Sequence, residues 1–149
     1  MHFHGFKCIL TLLLLNLSSS SALNDLSYDE RGLMISSAEC SSRKYSADTI
    51  YNAVRTGVDA IAYANRIGFE PLVKTYTPKK GEVLGLNGPY YVHRFWNDGT
   101  DIYQATKKDV VVFTGQGKLV KVAVQYRVSN PRNRRVPIWK YKDCVLNLR

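Results

Sequence analysis

His93 is the only histidine beyond residue 4, and it directly follows Val92 in Gly88-Pro89-Tyr90-Tyr91-Val92-His93-Arg94-Phe95-Trp96. An imidazole titrates near neutral pH and can act as a general acid or base. A serine-type triad would also need a placed serine and acid, and the chain carries no nucleophile-elbow motif. Zinc would need more ligands than Cys40, Cys144 and His93 supply, so neither metal nor cofactor is expected. The other chemistry-bearing residues are basic or aromatic. Lys74, Lys79 and Lys80 precede the His93 run, Lys107 and Lys108 precede Asp109, and Arg132, Arg134 and Arg135 crowd a late polar stretch. If these groups surround one cleft they form a phosphate-binding rim; otherwise they are unrelated solvated loops.

The elements that must position these groups follow from composition and period. The run from Tyr90 to Trp96 is aromatic and β-branched, opened by Gly-Pro and closed by Asn97-Asp98-Gly99, which predicts a central antiparallel strand. Alternation then sets Tyr90, Val92 and Arg94 on one face and Tyr91, His93 and Phe95 on the other, which favours a supporting role for His93. Ser46 as N-cap, Asp48 in the first turn, apolar Ile50, Val54, Val58 and Ile61, and Gly68 as a stop predict a helix near 47–66. Strands are predicted from Leu72 to Thr77, Asp101 to Thr106, Asp109 to Thr114 and Lys118 to Tyr126, the last two joined by a hairpin at Gly115-Gln116-Gly117. Ser129 to Arg135 reads as a loop and Val136 to Leu146 as one final strand. The expected class is α+β, a single helix packed on a four- to five-stranded antiparallel sheet.

Residues 1–22 read as a signal peptide: a short basic n-region, the apolar run Cys8 to Leu17, and small residues at Ser20-Ser21-Ala22. Residues 23–39 read as an irregular N-terminal arm, with a short hairpin through Leu33-Met34-Ile35, and residues 40–149 as the domain. No other apolar run reaches membrane-spanning length, so no membrane anchor is expected. Loss of Lys7 with the signal lowers the formal charge of +9 by one, to +8. A secreted basic domain suits phosphates, acidic polysaccharide or an anionic surface. Cys8 leaves as well, and in an oxidising compartment Cys40 and Cys144 most simply form one disulfide.

The ordered set of residues from Cys40 to Cys144 resembles the small guanyl-specific ribonucleases secreted by filamentous fungi. It comprises Cys40, Tyr45-Ser46, the single helix, Tyr76, Gly81, Gly88-Pro89-Tyr90-Tyr91, Asp109-Val110-Val111-Val112-Phe113, Lys118-Leu119 and Tyr141-Lys142-Asp143-Cys144. The resemblance implies a microbial ribonuclease-like fold. It also implies an active site in which a carboxylate takes the ribose 2′-proton, a histidine protonates the leaving oxygen and an arginine stabilises the phosphorus centre. The carboxylate should follow Pro-Tyr-Tyr, where Val92 stands. The arginine should follow the aspartate of the next strand, where Val110 stands. The histidine should lie six residues after Leu119, where Gln125 stands, and a further histidine should occupy Lys74. The guanine-binding glutamate is replaced by Lys80, a donor without acceptor capacity. General acid–base groups contribute roughly 10²–10⁴-fold each, so their loss removes most turnover. Tyr76 and Tyr141 remain where the family lines its cleft with aromatic residues, either for base stacking or for packing.

A secretion signal, a kept scaffold and an erased active site together resemble the ribonuclease-like effectors of powdery mildew fungi. That resemblance implies a secreted, non-catalytic protein delivered into the host plant cell, and a monomer is expected. Its expected partner is a host protein, which by resemblance includes intracellular immune receptors, and host RNA is a further expectation. Two alternatives are a plain RNA-binding module and an active ribonuclease rebuilt around Lys74, Tyr76 or His93.

Overall fold

The computed structural model describes residues 26–68, 73–97, 106–133 and 135–149. The signal-peptide reading, most of the strand expected at Asp101 to Thr106, and Arg134 lie outside the described residues. In chain order the elements are β1 (Tyr28–Asp29), β2 (Gly32–Leu33), β3 (Ile35–Cys40), β4 (Arg43–Ser46), α1 (Ala47–Ile67), β5 (Lys74–Tyr76), β6 (Tyr90–Asn97), β7 (Lys107–Thr114), β8 (Leu119–Val128), β9 (Ile138–Asp143) and β10 (Val145–Leu148).

The helix forms where its caps and period place it. Ser46 Oγ accepts from the Thr49 N–H at 3.3 Å, and Gly68 closes the last turn in the left-handed region (φ 70°), its N–H bonding the Ala64 carbonyl. Ile50 and Val54 are buried, and Val58 and Ile61 are partly buried against the same core. At Gly57 the helix lies directly against the sheet, since a Cβ there would lie 2.7 Å from the Phe113 ring and 2.9 Å from His93 Cβ.

The principal sheet has seven strands in the order β1-β2-β8-β7-β6-β5, with β9 also paired to β8. Every pairing is antiparallel except a one-residue parallel contact, Gly32 with Leu119. The sheet is therefore larger than the four or five strands expected, and a second sheet, β10-β3-β4, packs with the helix. Both differences arise from the ends of the chain. The described part of 23–39 is not irregular: its hairpin turns at Glu30-Arg31, where Asp29 Oδ1 accepts the Arg31 N–H at 2.7 Å. Gly32 (φ 98°) lets β2 lie directly on β8, because a Cβ there would come within 2.3 Å of the Leu119 backbone. The final strand is two strands in two sheets, broken at Cys144, whose disulfide to Cys40 holds the Cα atoms 4.6 Å apart.

Strand β7 is buried on both faces, which its Val-Val-Val-Phe run requires. Val111 and Phe113 join Leu33, Ile35, Ile50, Val54, Leu119, Val122 and Val124 under the helix. Val110 and Val112 face the other way, with Tyr76, Val92, Val120 and Ala123, beneath Leu84, Leu86, Tyr90 and Tyr141. On the helix side Asp109 is fully buried. Arg43 grips it through Nε (2.7 Å) and Nη2 (2.9 Å), and the Tyr45 hydroxyl donates to it at 2.6 Å. The Arg43 guanidinium also lies 3.4 Å from the Trp96 ring centroid. Burial, reinforced by the Asp109 carboxylate, pushes the Tyr45 hydroxyl up to about 12.

Candidate functional site

The sheet face opposite the helix carries the residues on which the sequence reading turned. Directly paired residues of an antiparallel sheet share a face. Lys74 pairs with Val92, Val92 with Val112 and Val112 with Lys121. Arg94 pairs with Val110, Val110 with Ala123 and Ala123 with Asp143; Lys108 pairs with Gln125 and Gln125 with Tyr141. Lys74, Val92, Val110, Gln125, Lys108 and Tyr141 therefore share one surface.

What stands there is a packed apolar floor. Val92 is 7% exposed and Val110 1%, and Leu84 and Leu86 from the β5–β6 connection cover them. Burying a valine contributes about 1.5–3 kcal/mol, so this face is a second core rather than an open channel. Gln125 Nε2 donates to the Tyr141 hydroxyl at 2.8 Å. Burial is the main reason that hydroxyl is raised above the usual tyrosine value.

A charged network closes the face. Lys121 Nζ bonds Glu82 and, at 2.9 Å, Asp143 Oδ1. Glu82 also accepts from the Tyr76 hydroxyl at 2.8 Å and from the Lys79 N–H at 2.8 Å. Burial pushes the Lys121 ammonium down, but its bonds to Glu82, Tyr76 and Asp143 outweigh burial and hold it above the ordinary lysine value. Burial likewise pushes the Glu82 carboxyl up, and Lys121, the Lys79 N–H and Tyr76 outweigh it and keep the group below its usual range. The network pins the loop that covers Val92 and Val110 to the sheet.

Neither Glu82 nor Lys121 figured in the sequence reading. Lys121 left a signal: a single charge inside Leu119-Val120-Lys121-Val122-Ala123 must find a partner if that strand is buried. Glu82 left none, because its loop carries no periodicity.

The remaining candidates divide by place. Tyr76 is 4% exposed, with its hydroxyl on Glu82 and its ring edge-on to Tyr141. Lys79 reaches across to the Tyr141 carbonyl at 3.4 Å, and the exposed Lys80 occupies the turn closed by Glu82 N–H to Lys79 C=O at 2.9 Å. Lys108 Nζ lies 4.3 Å from the Trp139 ring centroid. Lys107, one residue earlier, pairs with Tyr126 on the opposite face. Arg132 and Arg135 are exposed in the β8–β9 connection, their N–H groups bound to Asn130 and Asn133. Lys74 is on β5, at the opposite end of the strand order from β9. His93 lies on the helix face, across the sheet from Lys74, and burial lowers its pKa.

Among the described residues no group of three His, Cys, Asp or Glu side chains could hold a metal ion, and no helix is long and apolar enough to cross a membrane. Comparison with known proteins finds no matching family model, curated protein or solved structure.

Proposed function

We propose that this protein is a secreted, catalytically inactive ribonuclease-like effector that acts by binding a host macromolecule. One observation carries the reading: the positions where the resembled enzymes hold their proton-accepting carboxylate and their charge-stabilising arginine are filled by buried, mutually packed Val92 and Val110. Gln125, at the third position, spends its amide on Tyr141. Valine has no exchangeable side-chain proton, and a neutral amide cannot serve as a general acid near neutral pH. A reaction rebuilt from Lys74 and His93 has them on opposite faces of the sheet, where they cannot flank one phosphodiester.

Incubating the purified, oxidised protein with mixed-sequence RNA tests the reading. The expected result is no cleavage above buffer. Release of 2′,3′-cyclic phosphate termini that disappears in Lys74→Ala or His93→Ala would overturn it. A second reading, an RNA-binding module, draws support from Lys74 and Lys108 sharing the Val92 face. It requires an affinity that falls log-linearly with salt, and loses about one unit of slope per phosphate-contacting lysine removed.

A further inference from the structure

Among the described residues the outer margin of β9 is an open strand edge. The Arg127 N–H donates to the Thr106 carbonyl at 2.9 Å, and the Cys144 N–H donates to the Val122 carbonyl at 3.0 Å. Given the registers Lys107 with Tyr126 and Ala123 with Asp143, odd residues of β8 bond toward β7 and even residues toward β9. Main-chain groups alternate along a strand, so Ile138, Lys140 and Lys142 bond back to β8 while the N–H and C=O of Trp139, Tyr141 and Asp143 point outward. Among the described residues β9 pairs with β8 alone. Among the described residues these outward groups meet one partner, Lys79 Nζ, 3.4 Å from the Tyr141 carbonyl.

The side chains along this edge are chemically divided. Lys140 and Lys142 are exposed on one face, and half-buried Trp139 and Tyr141 occupy the other. Both rings are already engaged, Trp139 beneath Lys108 Nζ and Tyr141 edge-on against Tyr76. Each ring thus already has a partner, Tyr141 through its hydroxyl to Gln125 as well, so the pair is not a free stacking platform of the kind that favours single-stranded nucleic acid. A second copy is also disfavoured. Antiparallel self-pairing about a twofold axis places Lys140 opposite Lys142 or opposite itself, and edge lysines of this kind oppose sheet-to-sheet association.

We infer that the β9 edge is a docking site for an extended acidic peptide. The peptide adds as a strand, exchanging main-chain hydrogen bonds with Trp139, Tyr141 and Asp143. Its Asp or Glu side chains, at alternate positions, lie beside Lys140 and Lys142, and its intervening apolar residues flank Trp139 and Tyr141. The inference deepens the proposed function by naming the surface and the partner class, and it rests on that reading only in taking binding as the protein's activity.

The test uses a blocked peptide of about eight residues alternating Glu and Val, long enough for an ordinary strand. Its controls are the same peptide with alternate backbone nitrogens methylated, a Lys-Val counterpart, and a mixed-sequence RNA oligonucleotide. At saturation the Glu-Val peptide is expected to slow amide exchange at Trp139 and Tyr141 by at least about tenfold. Lys140→Glu with Lys142→Glu is expected to weaken binding by about tenfold or more and to let the Lys-Val peptide bind instead. Both lysines are exposed, so the fold tolerates the change, and the methylated peptide needs no variant at all. Unchanged exchange at the two amides, equal binding of the methylated peptide, or protection of the same amides by RNA and not by peptide would each overturn the inference. RNA cleavage measured on the same sample separates the two claims: turnover sinks the inactive reading and leaves the edge intact, whereas absent protection sinks the edge alone.

Discussion

Tyr76 and Tyr141 meet edge to face, ring centroids 5.2 Å apart and planes at 82°, although they belong to β5 and β9, with β6, β7 and β8 between them. In a flat sheet those two strands would lie about 19 Å apart. The sheet must therefore coil strongly around Val92, Val110 and Val112, and the two rings close the coil over an apolar floor. Truncating Tyr141 to Ala removes the ring contact and the Gln125 bond together. The expected cost is about 1–3 kcal/mol, below the 3–5 of a fully buried ring. Tyr141→Phe keeps the ring and is expected to cost about 1 kcal/mol. Urea unfolding of the two variants checks the order.

Lys121 is the cation on which Glu82 and Asp143 converge. Lys121→Met is expected to destabilise by about 1–3 kcal/mol, because it strands a mostly buried carboxylate. Adding Glu82→Gln to that variant should recover part of the loss. A double-mutant cycle that returned strict additivity would show that the pair is not coupled.

Acid should release the loop over Val92. The Glu82 carboxyl is held below its ordinary 4.5 in the folded state. Its contribution is therefore complete above pH 4.5 and is lost as pH falls through the lower folded value. The stability difference between the native protein and Glu82→Gln should be constant near neutrality and shrink below pH 4.5, as denaturant midpoints across pH would record.

His93 titrates in the same direction and higher up. Burial, aided by Arg94, lowers it from 6.5, so the folded protein favours the neutral ring. Stability from this group is complete above pH 6.5 and declines as pH falls toward the folded value. An NMR titration should place the ring midpoint below 6.5.

Restoring the resembled catalytic set should not restore catalysis. Val92→Glu with Val110→Arg and Gln125→His inserts charge beneath Leu84 and Leu86, where the two valines are 7% and 1% exposed. Burial raises the cost of each new charge and opposes ionisation of the carboxyl that the reaction needs as its base. The expected outcome is a destabilised protein with RNA cleavage at background. Cleavage measured beside thermal unfolding decides it.

The helix and the central strands were legible because their signals are local. Ser46 and Gly68 bound a single amphipathic period, and β-branched runs flanked by glycine mark β6, β7 and β8. The opposite faces of Val92 and His93 followed from alternation alone, a property of any strand. Other features depend on residues distant in sequence. Ser-rich β3 is the middle strand of its sheet, paired with the adjacent β4 on one side and on the other with β10, more than a hundred residues later. The break at Cys144 exists because Cys40 draws the chain into a second sheet. The pairing of Glu82 with Lys121, the meeting of Tyr76 and Tyr141, and the open edge of β9 were invisible for the same reason. Periodicity reports which way a side chain points along its own strand, and only the coiling of the whole sheet decides what it meets there.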